Sequence, residues 1–112
     1  MTTLGTEISV ARDFTKTPGP RKRKDGQFSG QQFLEDLLRP RFVQVRDSGS
    51  TLRVNLDGVA GYPTSFLEEA FGGLAREFSQ DIVDRSIEIV CTDEPYLDQE
   101  IRRYIREART PR

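Results

Sequence analysis

Thr64 and Ser65 stand immediately before an amphipathic run, and a hydroxyl pair in that position has two kinds of chemistry open to it. Read locally, Ser65-Phe66-Leu67-Glu68 fits a capping box, with the Ser65 hydroxyl accepting an orphan helix N–H and Glu68 reaching back to the cap. Read for reactivity, a hydroxyl at a helix N-terminus lies where the macrodipole and unpaired N–H groups favour an anion. Ser65 and Thr64 are therefore candidate phosphorylation sites, and a phosphate would add roughly −1.5 to −2 charges to the surface there. Glu68 and Glu69 oppose it by like-charge repulsion.

Two further sets of side chains carry chemistry. Asp13, Asp57 and Asp93 are each expected just after a strand, and clustered carboxylates could hold magnesium for phosphoryl transfer. Each also has a simpler use, since aspartate commonly ends strands, makes turns and caps helices. Arg21-Lys22-Arg23-Lys24 forms a basic run framed by prolines and glycine, a candidate anion-binding loop or a solvated surface segment. Residues 1–28 carry six basic and three acidic groups, while the whole chain has a net charge of −1, so the remainder is acidic. No second basic stripe completes a nucleic-acid footprint, because Glu100 and Glu107 interrupt Arg102, Arg103 and Arg106.

What is missing narrows the classes. The 112 residues contain no histidine and one cysteine, Cys91. That removes His-based nucleophilic triads, imidazole acid–base catalysis, intrachain disulfides and thiolate metal cages. Catalysis and cofactor binding are not expected, nor is a metal site, with carboxylate-held magnesium the residual enzymatic reading. Cys91, in an apolar strand, reads as a small hydrophobe. No apolar stretch reaches bilayer length and the N-terminus lacks a signal-peptide pattern, so a soluble cytoplasmic protein is expected.

The elements that must position these groups follow from periodicity. Residues 7–14 alternate, putting Ile8 and Val10 on one face of a strand that ends near Phe14. Residues 15–28 form a long basic Pro/Gly loop, of a length that is functional or mobile in most compact domains. Ser29-Gly30-Gln31-Gln32 predicts a capping box and a helix running to Asp47-Ser48-Gly49, with a kink or break near Arg39 where Pro40 removes a hydrogen bond. Leu52, Val54 and Leu56 mark a second strand. Leu67, Ala70, Phe71, Leu74 and Phe78 mark a second helix, interrupted at Gly72-Gly73 in a way that suggests close approach of another backbone. A short helix is expected at 79–84, a third strand at 86–91, buried at its end, and a last helix after Thr92-Asp93-Glu94-Pro95, with Arg102, Arg103 and Arg106 outside. Strands alternating with helices predict a mainly parallel sheet of three or four strands packed with three or more helices.

In such a sheet the carboxyl ends of the strands are the functional edge, which draws attention to residues 56–74. Leu56-Asp57-Gly58-Val59 through Ser65-Phe66-Leu67 resembles the core of STAS domains of the anti-sigma-factor antagonist type, whose stretch reads strand, Leu-x-Gly-Val, a short gap, Asp-Ser-Ser-Gly-Leu, helix. Thr64 through Leu74 is similar to the signature of a STAS-like family of uncharacterised bacterial domains. Arg12-Asp13-Phe14, Pro18-Gly19-Pro20-Arg21 and Ser29-Gly30 through Phe33 look like that family as well. The resemblance implies a small STAS-like α/β fold and a non-enzymatic regulatory role through protein–protein interaction. It places Ser65 where a partner kinase phosphorylates true antagonists, and it implies a histidine-kinase-type ATPase as partner. Pro63 replaces the aspartate before the hydroxyls, and Phe66 the glycine after them.

We therefore expect one STAS-like domain over 1–112, with 109–112 a mobile tail. Tyr62, Pro63, Phe66, Glu68 and Glu69 are the expected partner contacts, with Ser65 or Thr64 as the switch. The alternative is a nucleic-acid-associated module using Arg21, Lys22, Arg23 and Lys24.

Overall fold

The computed structural model describes residues 7–108; the expected tail at 109–112 lies outside the described residues. Strand β1 (Glu7–Ser9) is shorter than its alternation predicts, because the chain turns at Ser9 into the one-turn helix α1 (Val10–Asp13). The cause is local. The Ser9 hydroxyl accepts the Arg12 N–H at 3.2 Å and Asp13 Oδ2 accepts the Ser9 N–H at 2.9 Å. Such side-chain bonds compete with a strand ladder. Ile8 and Val10 are both fully buried all the same.

Ser29 caps the next helix as expected, its hydroxyl accepting the Gln32 N–H at 3.0 Å, while Gln32 Oε1 reaches one residue further back, to the Phe28 N–H at 3.2 Å. Helix α2 runs as Gly30–Phe33, a π-helical turn Leu34–Leu38, and Arg39–Ser48, closed by Gly49 in the left-handed conformation at φ 76°. The irregularity lies in the turn immediately before Pro40. In a straight α-helix the ring would collide with the carbonyl four residues back.

Strand β2 (Leu52–Asn55) pairs in parallel with β1, Ile8 opposite Val54. Helix α3 comprises Thr64–Leu67, a second π turn Glu68–Gly72, and Gly73–Phe78; α4 spans Gln80–Ser86. Strand β3 (Ile87–Val90) pairs in parallel with β2, Val54 opposite Ile89, giving the order β1-β2-β3, and α5 spans Tyr96–Glu107. The end of β3 is half-buried, not buried as predicted. Five helices and a three-stranded parallel sheet thus make an α/β fold among the described residues.

The π turns explain an oddity of spacing. In α3 the buried pairs Phe66-Leu67, Ala70-Phe71 and Leu74-Ala75 repeat every four residues, as do Leu34, Leu38 and Phe42 in α2. An α-helix repeats every 3.6, so such a stripe would wind about 40° round the axis at each step. The i→i+5 bonding of a π turn holds more residues per turn and takes up that drift, keeping both stripes on the core.

The sheet has one dry face and one polar face. Ile8, Leu52, Val54 and Ile87 are buried against the helices, whereas Glu7, Arg53 and Glu88 stand side by side on the other face with Arg53 Nε 3.5 Å from Glu88 Oε1. Arg102 does not line the outside as predicted. Its guanidinium donates to the Asp84 and Ile87 carbonyls, both at 2.6 Å, satisfying the end of α4 and the start of β3.

Candidate functional site

Strand and helix directions bring Asp13, Asp57 and Asp93 toward the carboxyl edge of the sheet, but backbone amides claim them. Asp57 Oδ1 accepts the Asp93 N–H at 2.9 Å and Asp93 Oδ2 accepts the Gly58 N–H at 3.0 Å, a reciprocal pair that ties the loop after β2 to the loop after β3. Asp13 accepts from Ser9 and from the Arg12 guanidinium, whose hydrogen bond holds its carboxyl below the ordinary range. No group of three or more acidic or cysteine side chains placed to hold a metal ion occurs among the described residues.

At the start of α3 the cap differs from prediction. Pro63 is the N-cap, at φ −60° and ψ 141°, and its carbonyl accepts the Phe66 and Leu67 N–H groups at 3.1 and 3.3 Å. The helix therefore begins two residues early, at Thr64, and Ser65 sits inside its first turn, so the predicted capping box does not form. Proline is pre-set for this entry, and Glu68, the other half of the box, is engaged elsewhere. Thr64 and Pro63 are exposed and Ser65 half-buried. The Ser65 hydroxyl makes no hydrogen bond among the described residues. Thr64 lies against Tyr104 of α5: burial and Glu100 push the Tyr104 phenol up, while a hydrogen bond from the Thr64 side chain works the other way.

The expected aromatic contacts turn inward. Phe66 is fully buried, stacked 5.7 Å from Phe33 and tilted against Phe14 at 6.2 Å, so it belongs to the core and not to a contact surface. A bulky residue at that position completes an aromatic cluster under the loop. Tyr62 is half-buried, its ring 6.1 Å from Phe66 and its hydroxyl donating to the Leu56 carbonyl at 2.8 Å. Burial, aided by Asp57 and Glu94, pushes its phenol well above the ordinary value.

The two sets of charges that the sequence presents as separate sites meet each other. Arg21 forms an ion pair with Glu68 and reaches Glu69 Oε1 at 3.4 Å; Lys22 Nζ is 3.0 Å from Glu69 Oε2. Arg76 closes the cluster at 2.8 Å from Glu68. Arg23 turns to α2, 3.0 Å from Glu35 and 2.8 Å from Asp36. Three of the four basic residues are thus paired with carboxylates, although Arg23 and Lys24 remain exposed, and Glu68 and Glu69 do not face outward as free partner contacts. Of the run, Lys24 alone has no ion pair among the described residues. Burial alone would raise the Glu68 carboxyl, but Arg76 and Arg21 outweigh it and the net shift is downward.

Backbone bonds complete the strap. The Gly30 N–H donates to the Pro20 carbonyl at 2.8 Å, Gln31 to Arg21 at 2.9 Å, and Ala60 to Lys16 at 3.1 Å, so residues 15–28 form an ordered bridge across α2, α3 and the loop after β2. Gly30 allows this. A Cβ on it would fall 2.6 Å from the Phe66 carbonyl oxygen. The close approach expected at Gly72-Gly73 involves side chains instead: Glu68 and Arg76 at Gly72, and Leu34 at Gly73.

A family model for a STAS-like domain of unknown function (DUF4325) matches residues 29–97, more than half of the chain, and the parallel α/β fold agrees with it. The chain belongs to this STAS-like family. No curated protein and no solved structure matches it. Among the described residues, no helix is long and apolar enough to cross a membrane.

Proposed function

We propose that this domain is a non-enzymatic, regulatory protein-interaction module whose contact is the edge formed by Pro63, Thr64 and Ser65, with a histidine-kinase-type ATPase as partner and Ser65 phosphorylation as the switch. One observation carries the reading: the Ser65 hydroxyl, in the first turn of α3, makes no hydrogen bond among the described residues, while the charges around it are paired with one another. The repulsion that Glu68 and Glu69 would exert on a phosphate is offset by Arg21, Lys22 and Arg76 on the same carboxylates, and the helix N-terminus favours an anion.

Two measurements test it: the intact mass of the protein recovered from its native cells, and capture of partners by wild type and by Ser65→Asp. An ATPase captured by wild type and lost with Ser65→Asp supports the reading. Absence of phosphate under every growth condition removes the switch, and failure of wild type to capture any ATPase removes the partner.

A further inference from the structure

Most arginines among the described residues meet a carboxylate; Arg85 on α4 and Arg103 and Arg106 on α5 meet none there, and the last two share one helix. Both are exposed and lie one turn apart. With Tyr96, Gln99 and Glu100 they line a groove of about 340 Å³. Tyr96, 54% exposed, is the exposed large hydrophobic residue of the described chain. Among the described residues lining the groove the one carboxylate, Glu100, accepts the Tyr104 hydroxyl at 3.3 Å, and the Arg103 guanidinium rests 5.4 Å from the centre of that same ring.

We infer that this groove docks an acidic protein segment, with carboxylates toward Arg103 and Arg106 and an apolar side chain packed on Tyr96. Charge complementarity and spacing argue for it. Two unpaired guanidiniums beside an exposed aromatic ring are the residue types enriched at binding hot spots. Arg106 also complements the helix C-terminus, but Arg103 lies too far from it for that role to account for both. Neither arginine lies in the 29–97 segment that defines the family, and the inference does not rest on Ser65.

The test uses the full chain and a fluorescein-labelled peptide of alternating glutamate and leucine, with a glutamine-for-glutamate peptide as control. The acidic peptide should bind at low salt, shift amide resonances of 96–106, and bind about five- to tenfold more weakly to Arg103→Gln/Arg106→Gln, whose helix content should be unchanged. Tyr96→Ala should weaken it as well. Equal affinity for the control peptide, shifts confined to other elements, or tighter binding of a single-stranded oligonucleotide at the same salt would overturn the inference.

Discussion

Lys22 Nζ lies 3.0 Å from Glu69 Oε2, although the two residues are 47 positions apart in the chain. The contact places the strap, and its partner Glu69 is 8% exposed. Glu69→Gln should therefore loosen residues 15–28 and lower stability by about 1 kcal/mol, a small value because both cations are partly hydrated. Hydrogen exchange at Gly30 and Gln31, which donate to the strap's carbonyls, should speed up while exchange in β2 is unchanged. Unaltered exchange at those two amides would refute the role assigned to Glu69.

Acid should act through the same cluster. The Glu68 carboxyl is held below its ordinary value of 4.5, so it binds fewer protons in the folded state than in the unfolded state as pH falls past that value. Its contribution is complete above the unfolded value and disappears as pH drops through the native one. Asp13, lowered from 3.8, behaves the same way. Urea midpoints from about pH 6 to about pH 3 should fall more steeply for wild type than for Glu68→Gln. Parallel curves would contradict this.

Glycine substitutions should separate two kinds of contact. At Gly30 a methyl group would meet the Phe66 carbonyl oxygen at 2.6 Å and the Glu69 Cβ at 3.1 Å, neither of which yields easily. Gly30→Ala should cost about 1 to 3 kcal/mol. At Gly73 the nearest atom is the end of the Leu34 side chain at 2.8 Å, which can rotate. There the helix propensity of alanine, worth about 1 kcal/mol over glycine, should cancel most of the strain. Thermal melts of the two variants decide it; equal losses would mean that the Phe66 carbonyl is not the determinant.

Phe66 and Ser65 are neighbours with opposite expected behaviour. Phe66→Ala should remove about 3 to 5 kcal/mol by opening a cavity beneath Phe14 and Phe33. Ser65→Ala should leave the melting temperature almost unchanged, because its hydroxyl makes no hydrogen bond among the described residues. A large loss for Ser65→Ala would restore it as a structural cap.

Much of the fold was legible because the polar face of the sheet is real: Arg53 and Glu88 interrupt Leu52, Val54 and Ile87 at period two, which is how the strands announce themselves. The first strand was overread because Val10 fits both a strand face and a one-turn helix, and only Ser9 and Asp13 decide between them. The π turns were missed although a signal existed, the four-residue repeat from Phe66 to Ala75. At the site, Thr64 and Ser65 were placed at a helix start, but Pro63 took the cap that Ser65 was expected to supply. The inward turn of Phe66 and the meeting of Arg21 with Glu68 were hidden for one reason. Each depends on tertiary placement of α2 against α3, which no local pattern encodes, although the opposite charges of 21–22 and 68–69 were a usable hint.

The pairing of Arg21 with Glu68 also orders events during synthesis. The chain emerges from its N-terminus, so the basic run is complete before the first turn of α3 exists. Until Glu68 and Glu69 arrive, Glu35 and Asp36 are the nearest of its final partners to appear, and the strap can be seated on α2 before it is locked by α3. Because 47 residues separate Arg21 from Glu68, their ion pair closes a long loop and can form only with α3 docked against the strap, so its presence reports that docking.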